Sequence, residues 1–161
     1  MPCRFLSAIV VCCLLTACGP VLVADDARKR ETIMRQHTDV WTRGQLQVID
    51  DLYTEDFIGH FHGTVVEGRR SLKAYVESQR DAYPDWHESV QWVVVEGSRG
   101  ASQALLKQGA VRALLGTDGV RETLALEQGS LFEFERGRIS RQWVYPDLTR
   151  PQQVIGLQPA P

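Results

Sequence analysis

Apolar positions along this chain change period more than once, and each change marks an element. Phe5 to Leu15 is an apolar run broken only by Ser7 and preceded by Arg4. Its length suits the core of a secretory leader and is too short for a transmembrane helix. Asp25 and Asp26 are acids of the kind favoured near a helix N-terminus. After them Ile33, His37, Val40 and Trp41 recur at helical spacing, until Gly44 stops the pattern. Leu46, Ile49, Leu52 and Tyr53 predict a shorter second helix. Thr54-Glu55-Asp56 reads as a polar break, and Phe57 to His62 as a short strand ended by Gly63. Leu72, Tyr75, Val76 and Gln79 predict a third helix over 69–83, stopped by Pro84.

Beyond Pro84 the period falls to two. Residues 86–96 alternate and are rich in Val and Trp, the composition of a strand. Ser98-Arg99-Gly100 predicts a hairpin turn, and further strands follow over 101–115, 120–134 and 138–145. The segment 116–119 and the pair Arg136-Gly137 supply the turns between them. Pro146 and Pro151 mark a tail that reads as something other than strand. Three helices followed by a meander of long antiparallel strands is an α+β order. Strands of this length can curl around the helices and leave an internal cavity.

Composition narrows the function classes. A chain of 161 residues, 43% hydrophobic and 24% charged, fits one globular domain. The formal net charge of −2 leaves no basic footprint for nucleic acid. Gly-x-Ser-x-Gly, a phosphate loop and His-Glu-x-x-His are all missing, so serine hydrolase, nucleotide-binding and zincin readings have no support.

The stretch Leu15-Thr16-Ala17-Cys18-Gly19 resembles a bacterial lipobox. That resemblance implies cleavage before Cys18 and acylation of its thiol and amine, and two or more acyl chains anchor stably. An ordinary leader-cleavage site, which also takes small residues, is the alternative. Gly19 after the cysteine implies sorting to the outer membrane, facing the periplasm. The expected division is a leader over 1–17, a tether carrying lipidated Cys18 over 18–24, and a domain over 25–157. Cys3, Cys12 and Cys13 fall in the leader. The mature domain is therefore expected to lack a disulfide, a thiolate nucleophile and a cysteine metal site.

Several ordered pieces resemble the SnoaL-like polyketide cyclase and ester cyclase family, within the nuclear transport factor two-like superfamily. They are Trp41-Thr42-Arg43-Gly44, Ile49-Asp50-Asp51-Leu52-Tyr53, Asp56-Phe57-Ile58-Gly59-His60 and Gly68-Arg69. Tyr83-Pro84-Asp85-Trp86, Glu96-Gly97, Phe134-Glu135-Arg136-Gly137-Arg138-Ile139 and Trp143 with Asp147 follow in family order. The resemblance implies a cone-shaped α+β barrel, with three N-terminal helices packed in a curved antiparallel sheet. It also implies a homodimer through the open sheet face, an apolar cavity, and neither metal nor organic cofactor. In the cyclases an acid near the end of the last long strand is the general acid/base, and Asp147 best matches it. The family often carries a histidine in the third long strand, and residues 107–112 contain none.

The candidate residues each have two readings. Asp147 follows Trp143 and Tyr145 on an alternating aromatic face, where lost solvation would raise a carboxyl pKa towards neutrality. Between Pro146 and Leu148 it can equally cap a turn. His60 is a candidate cavity proton donor, or a half-buried histidine beside Phe57 and Phe61. His60 and His62 share a strand face if the strand runs through both. A metal would need a third ligand that the spacing of His37 and His87 does not supply. Asp85 is a rival acid or a turn residue after Pro84. Trp41, Tyr53, Phe57, Trp86 and Trp143 are candidate substrate-binding aromatics, or plain core.

Two function classes follow. One is an envelope lipoprotein that binds a small hydrophobic carbonyl compound and performs cofactor-free acid/base cyclisation, isomerisation or hydration. The other is a tethered ligand-binding or assembly module with no chemistry.

Overall fold

A computed structural model describes residues 19–109, 121–147 and 153–158. Helix α1 runs Gly19–Arg35, so the expected tether over 19–24 is helical within the described residues. The chain continues into a wider helical turn, Gln36–Thr42, where Gln36, His37, Val40 and Trp41 are all buried. A π-type turn holds more residues than an α turn, and here two neighbouring polar side chains, Gln36 and His37, both reach the interior. Gly44, at φ +70°, ends the run in the left-handed region that glycine enters without strain. A short 3-10 turn, Leu46–Val48, and helix α2, Ile49–Leu52, lead into strand β1, Tyr53–Phe61.

The polar triplet Thr54-Glu55-Asp56 does not break the chain as expected; it lies inside β1. His62 and Gly63, both at positive φ, then turn the chain into β2, Thr64–Glu67, a strand too short to show a period. Helix α3, Gly68–Ala82, follows within a residue or so of the predicted bounds. Strands β3 (His87–Glu96), β4 (Arg99–Gly109), β5 (Arg121–Glu135) and β6 (Arg138–Pro146) form the expected meander. The Arg136-Gly137 turn has positive φ at both residues, the twist that suits a two-residue hairpin.

The sheet order is β2-β1-β6-β5-β4-β3. All neighbours are antiparallel except β1 and β6, which run parallel, with Gly59 opposite Gln142 and His60 opposite Trp143. The tail is a correction to the expectation from its prolines. Strand β7, Gln153–Gln158, pairs with the first part of β5, at Arg121 to Ala125, while β6 pairs with β5 from Gln128 onward. Pro146 is itself the last residue of β6, paired with Gln128, so it ends one strand without excluding a later one.

The helices pack on one face of the curved sheet. Ile33, Val40, Leu72 and Val76 from the helices meet Phe57, Phe61, Phe132 and Ile139 from the strands in one buried cluster. Burial of each such side chain contributes roughly 1.5–3 kcal/mol. Gly59 makes room for this packing, since a Cβ there would fall 2.3 Å from the Phe61 ring and 2.8 Å from the Phe57 ring. Lys29 ties α1 to the sheet: its Nζ pairs with Asp25 and donates to the Gly97 carbonyl in the β3–β4 turn at 2.7 Å.

Candidate active site

The largest group of buried polar side chains among the described residues runs along one band. His37 from the wide helical turn and Glu88 from β3 have side chains only 1% and 2% exposed. Their Nδ1 and Oε2 atoms lie 2.5 Å apart. His37 Nε2 lies 2.9 Å from Ser102 Oγ on β4. The second carboxylate oxygen, Glu88 Oε1, accepts from Trp86 Nε1 at 3.2 Å and Gln128 Nε2 at 3.1 Å. The Glu88 backbone N–H donates to Thr42 Oγ1 at 3.0 Å, anchoring the strand to the end of the wide turn.

Strand alternation explains why an acid faces inward. Trp86, Glu88 and Val90 share one parity, and Trp86 is buried at 6% exposure. Gln128 shares parity with buried Phe132 and Phe134 on β5. Further along the band, the Tyr53 hydroxyl lies 3.2 Å from Gln36 Oε1 and 3.3 Å from Gln142 Oε1. It has one proton for two acceptors. Burial first, and the Glu88 charge second, push the Tyr53 phenol far above its ordinary range, so it stays a neutral donor.

A hollow opens over this band, with about 290 Å³ of empty space, part of it open to solvent. Trp41, Phe61, Tyr75 and Trp86 form its apolar wall, while His37, His62, Glu88, Gln128 and Gln142 are its polar lining. Trp41 stacks on Trp86 with centroids 5.2 Å apart and planes 25° apart. The walls stand close together. There is room for about one water, so a larger guest has to displace a side chain.

The residues singled out from the sequence are not brought together. Asp147 lies on the far side of Gln128, in a wider and more open hollow with Trp92, Gln103, Glu127 and Gly129. Its N–H donates to the Glu127 carbonyl at 2.8 Å. His60 faces away from the core-side rings of Phe57 and Phe61 and stacks on Trp143, at 5.7 Å with planes 3° apart. Asp85 is exposed, in a turn closed by Trp86 N–H donating to the Tyr83 carbonyl at 3.1 Å. Tyr53 and Phe57 are fully buried, touching edge to face at 4.8 Å. Of the five aromatic candidates, Trp41 and Trp86 line the core-side hollow, whereas Trp143 lies on the opposite sheet face with His60. His60 and His62 do not share a face, because His62, at φ +48°, has already left the strand geometry. Among the described residues, no cluster of three or more His, Cys, Asp or Glu side chains is placed to hold a metal. Cys18 and residues 110–112 of the stretch without a histidine lie outside the described residues.

The sequence model of the SnoaL-like polyketide cyclases matches residues 31–153. The chain belongs to this family. Its α+β fold, a curved sheet with few helices, is the cone fold of the nuclear transport factor two-like proteins. A structure from Jannaschia sp. CCS1, assigned to the SnoaL-like polyketide cyclases, superposes with a TM-score of 0.66 at 24% identity, covering 76% of this chain and 88% of that one. IdmH of Streptomyces antibioticus, assigned as a polyketide cyclase, gives a TM-score of 0.64 at 18% identity, covering 74% and 91%. An epoxide hydrolase of M. tuberculosis related to LEH gives 0.59 at 10% identity, covering 77% and 86%. Likeness at these identities carries the fold and no residue role. No curated protein matches the chain.

His62 makes the site sensitive to pH. His62 is exposed overall, and the partial desolvation of its imidazole beside the hollow holds it below the ordinary value of 6.5, with the Glu88 charge opposing this only in part. A lowered histidine pKa means the folded state resists a proton that the unfolded chain accepts. Its stabilising contribution is therefore complete above pH 6.5, falls as the pH drops below that value, and levels off once the folded imidazole itself titrates. His62→Asn, which tolerates positive φ, is expected to flatten this part of the curve of urea midpoint against pH. An unchanged curve would remove His62 as its source.

Proposed function

We propose that this SnoaL-like domain binds a small hydrophobic carbonyl compound and moves a proton alpha to the carbonyl, with Glu88 as the base. The observation that supports it is a buried carboxylate at the wall of an aromatic hollow, oriented by His37, Trp86 and Gln128. Glu88 takes the proton from carbon, the electron pair forms an enolate, and His62, which shares the hollow, donates a hydrogen bond to the enolate oxygen. Aldol cyclisation and double-bond isomerisation both begin from such a proton transfer.

Acetophenone in deuterium oxide tests this directly, because its methyl protons exchange only through the enol. Wild-type protein is expected to accelerate their loss, followed by proton NMR, and Glu88→Gln to slow it about 100-fold, with circular dichroism showing a folded variant. Binding of acetophenone without faster exchange would favour the other reading, a ligand-binding module with no chemistry. That reading draws support from the narrowness of the hollow and from the three donors already on Glu88.

We also propose that the domain is carried on the cell envelope as a lipoprotein. The support is Leu15-Thr16-Ala17-Cys18 directly after an apolar leader. Mass spectrometry of the mature N-terminal peptide is expected to show acylated Cys18, and Cys18→Ser to release the protein from membranes. A soluble, unmodified N-terminus in wild type would overturn this.

A homodimer through the outer sheet face is the third element of the proposal. One transverse row there runs Val94, Ala101, Leu131, Trp143, His60 and Val65 across successive strands. Val94, Leu131 and Val65 in this row are about half exposed. Light scattering is expected to give twice the chain mass for wild type and a monomer for Leu131→Asp. A wild-type monomer would dismiss the dimer.

A further inference from the structure

Gln128 reports on what the hollow accepts. It sits on β5, is 4% exposed, and lines the hollow. Its Nε2 donates to Glu88 Oε1 at 3.1 Å. Its Oε1, also buried, meets no hydrogen-bond partner. Turning the carboxamide over would aim its oxygen at the carboxylate, where two acceptors repel. Glu88 therefore fixes the sense of the amide, and the unmet atom of Gln128 is an acceptor. Glu88 points the same way: a carboxylate has about four lone-pair sites, and three donors occupy it here. Two linked acceptors thus border one hollow, against a stacked Trp41–Trp86 wall.

We infer that the hollow selects a flat, single-ring-sized ligand bearing a hydroxyl or N–H, a phenol or enol, which donates to Gln128 Oε1. A plain apolar carbonyl compound leaves that buried acceptor unmet, and a site built to hydrogen-bond a group rejects the analogue that lacks it. The inference rests on the reading of this hollow as the ligand site and adds the chemistry of the ligand to it. The indole wall suits a planar guest, which enters by displacing a side chain, since the open space holds about one water.

The test compares 4′-hydroxyacetophenone with 4′-methylacetophenone, which differ by a hydroxyl in place of a methyl of similar size. Titration calorimetry on wild type is expected to show the hydroxyl compound binding about tenfold tighter. In Gln128→Met the preference is expected to fall below about twofold, with the methyl compound's Kd changed by less than about threefold. Gln128→Lys, which keeps a donor towards Glu88 but has no acceptor, is expected to lose the preference as well. Equal affinities in wild type, or a preference that survives in both variants, would overturn the inference while leaving the hollow as a ligand site. Failure of wild type to bind either compound would overturn the inference and the ligand-site reading together.

Discussion

The buried Glu88 carboxylate is the constraint around which the interior is arranged. A lone carboxylate in an apolar core costs several kcal/mol or more, and it persists only with charge-assisted donors around it. Those donors come from three separate parts of the chain: His37 from the wide helical turn, Trp86 from the turn after α3, and Gln128 from β5. Thr42 fixes the backbone of the same residue. The group that gives the hollow its chemistry is therefore also the group that registers the N-terminal helical layer against the sheet. Removing one donor costs more than a typical neutral hydrogen bond, because it leaves a charge short of partners where water is scarce.

The wide turn makes this possible. Both Gln36 and His37 are buried on this turn, which holds more residues than an α turn. With the turn expanded, His37 reaches Glu88 and Ser102 while Gln36 reaches Tyr53. Polar satisfaction then spreads sideways along the sheet through Tyr53 to Gln142. Two atoms of this band, Gln36 Nε2 and Gln128 Oε1, stay without partners. Such groups are uncommon in interiors and mark places where a fold forgoes stability.

Much of the fold was legible from periodicity. Ile33, His37, Val40 and Trp41 placed the first helix face, Pro84 stopped α3, and Arg136-Gly137 located the last hairpin. Strand β2 escaped because Thr64-Val65-Val66-Glu67 is too short to display a period. Strand β7 escaped because prolines were read as excluding pairing, when Pro146 only ends β6. The site was harder. Buried acids are rare, so Glu88 beside His87 and Ser89 looks like part of an outward face. Its shared parity with Trp86 was the available signal. Asp147 drew attention through the resemblance, yet the wide hollow that holds it is on the other side of Gln128 from Glu88. His62 could not be oriented from alternation, since a positive φ erases it.

The parallel pairing of β1 with β6 has a consequence for how the molecule is born. Gly59 meets Gln142 across about eighty residues of intervening chain, the longest-range strand pairing described. Contacts of such separation close late and slow the search for the native state. A nascent polypeptide therefore leaves one edge of β1 unpaired until its final quarter has emerged. The helices can cover Phe57 and Phe61 through Trp41 and Tyr75, but only completion of synthesis closes the backbone edge of β1 to wandering strands.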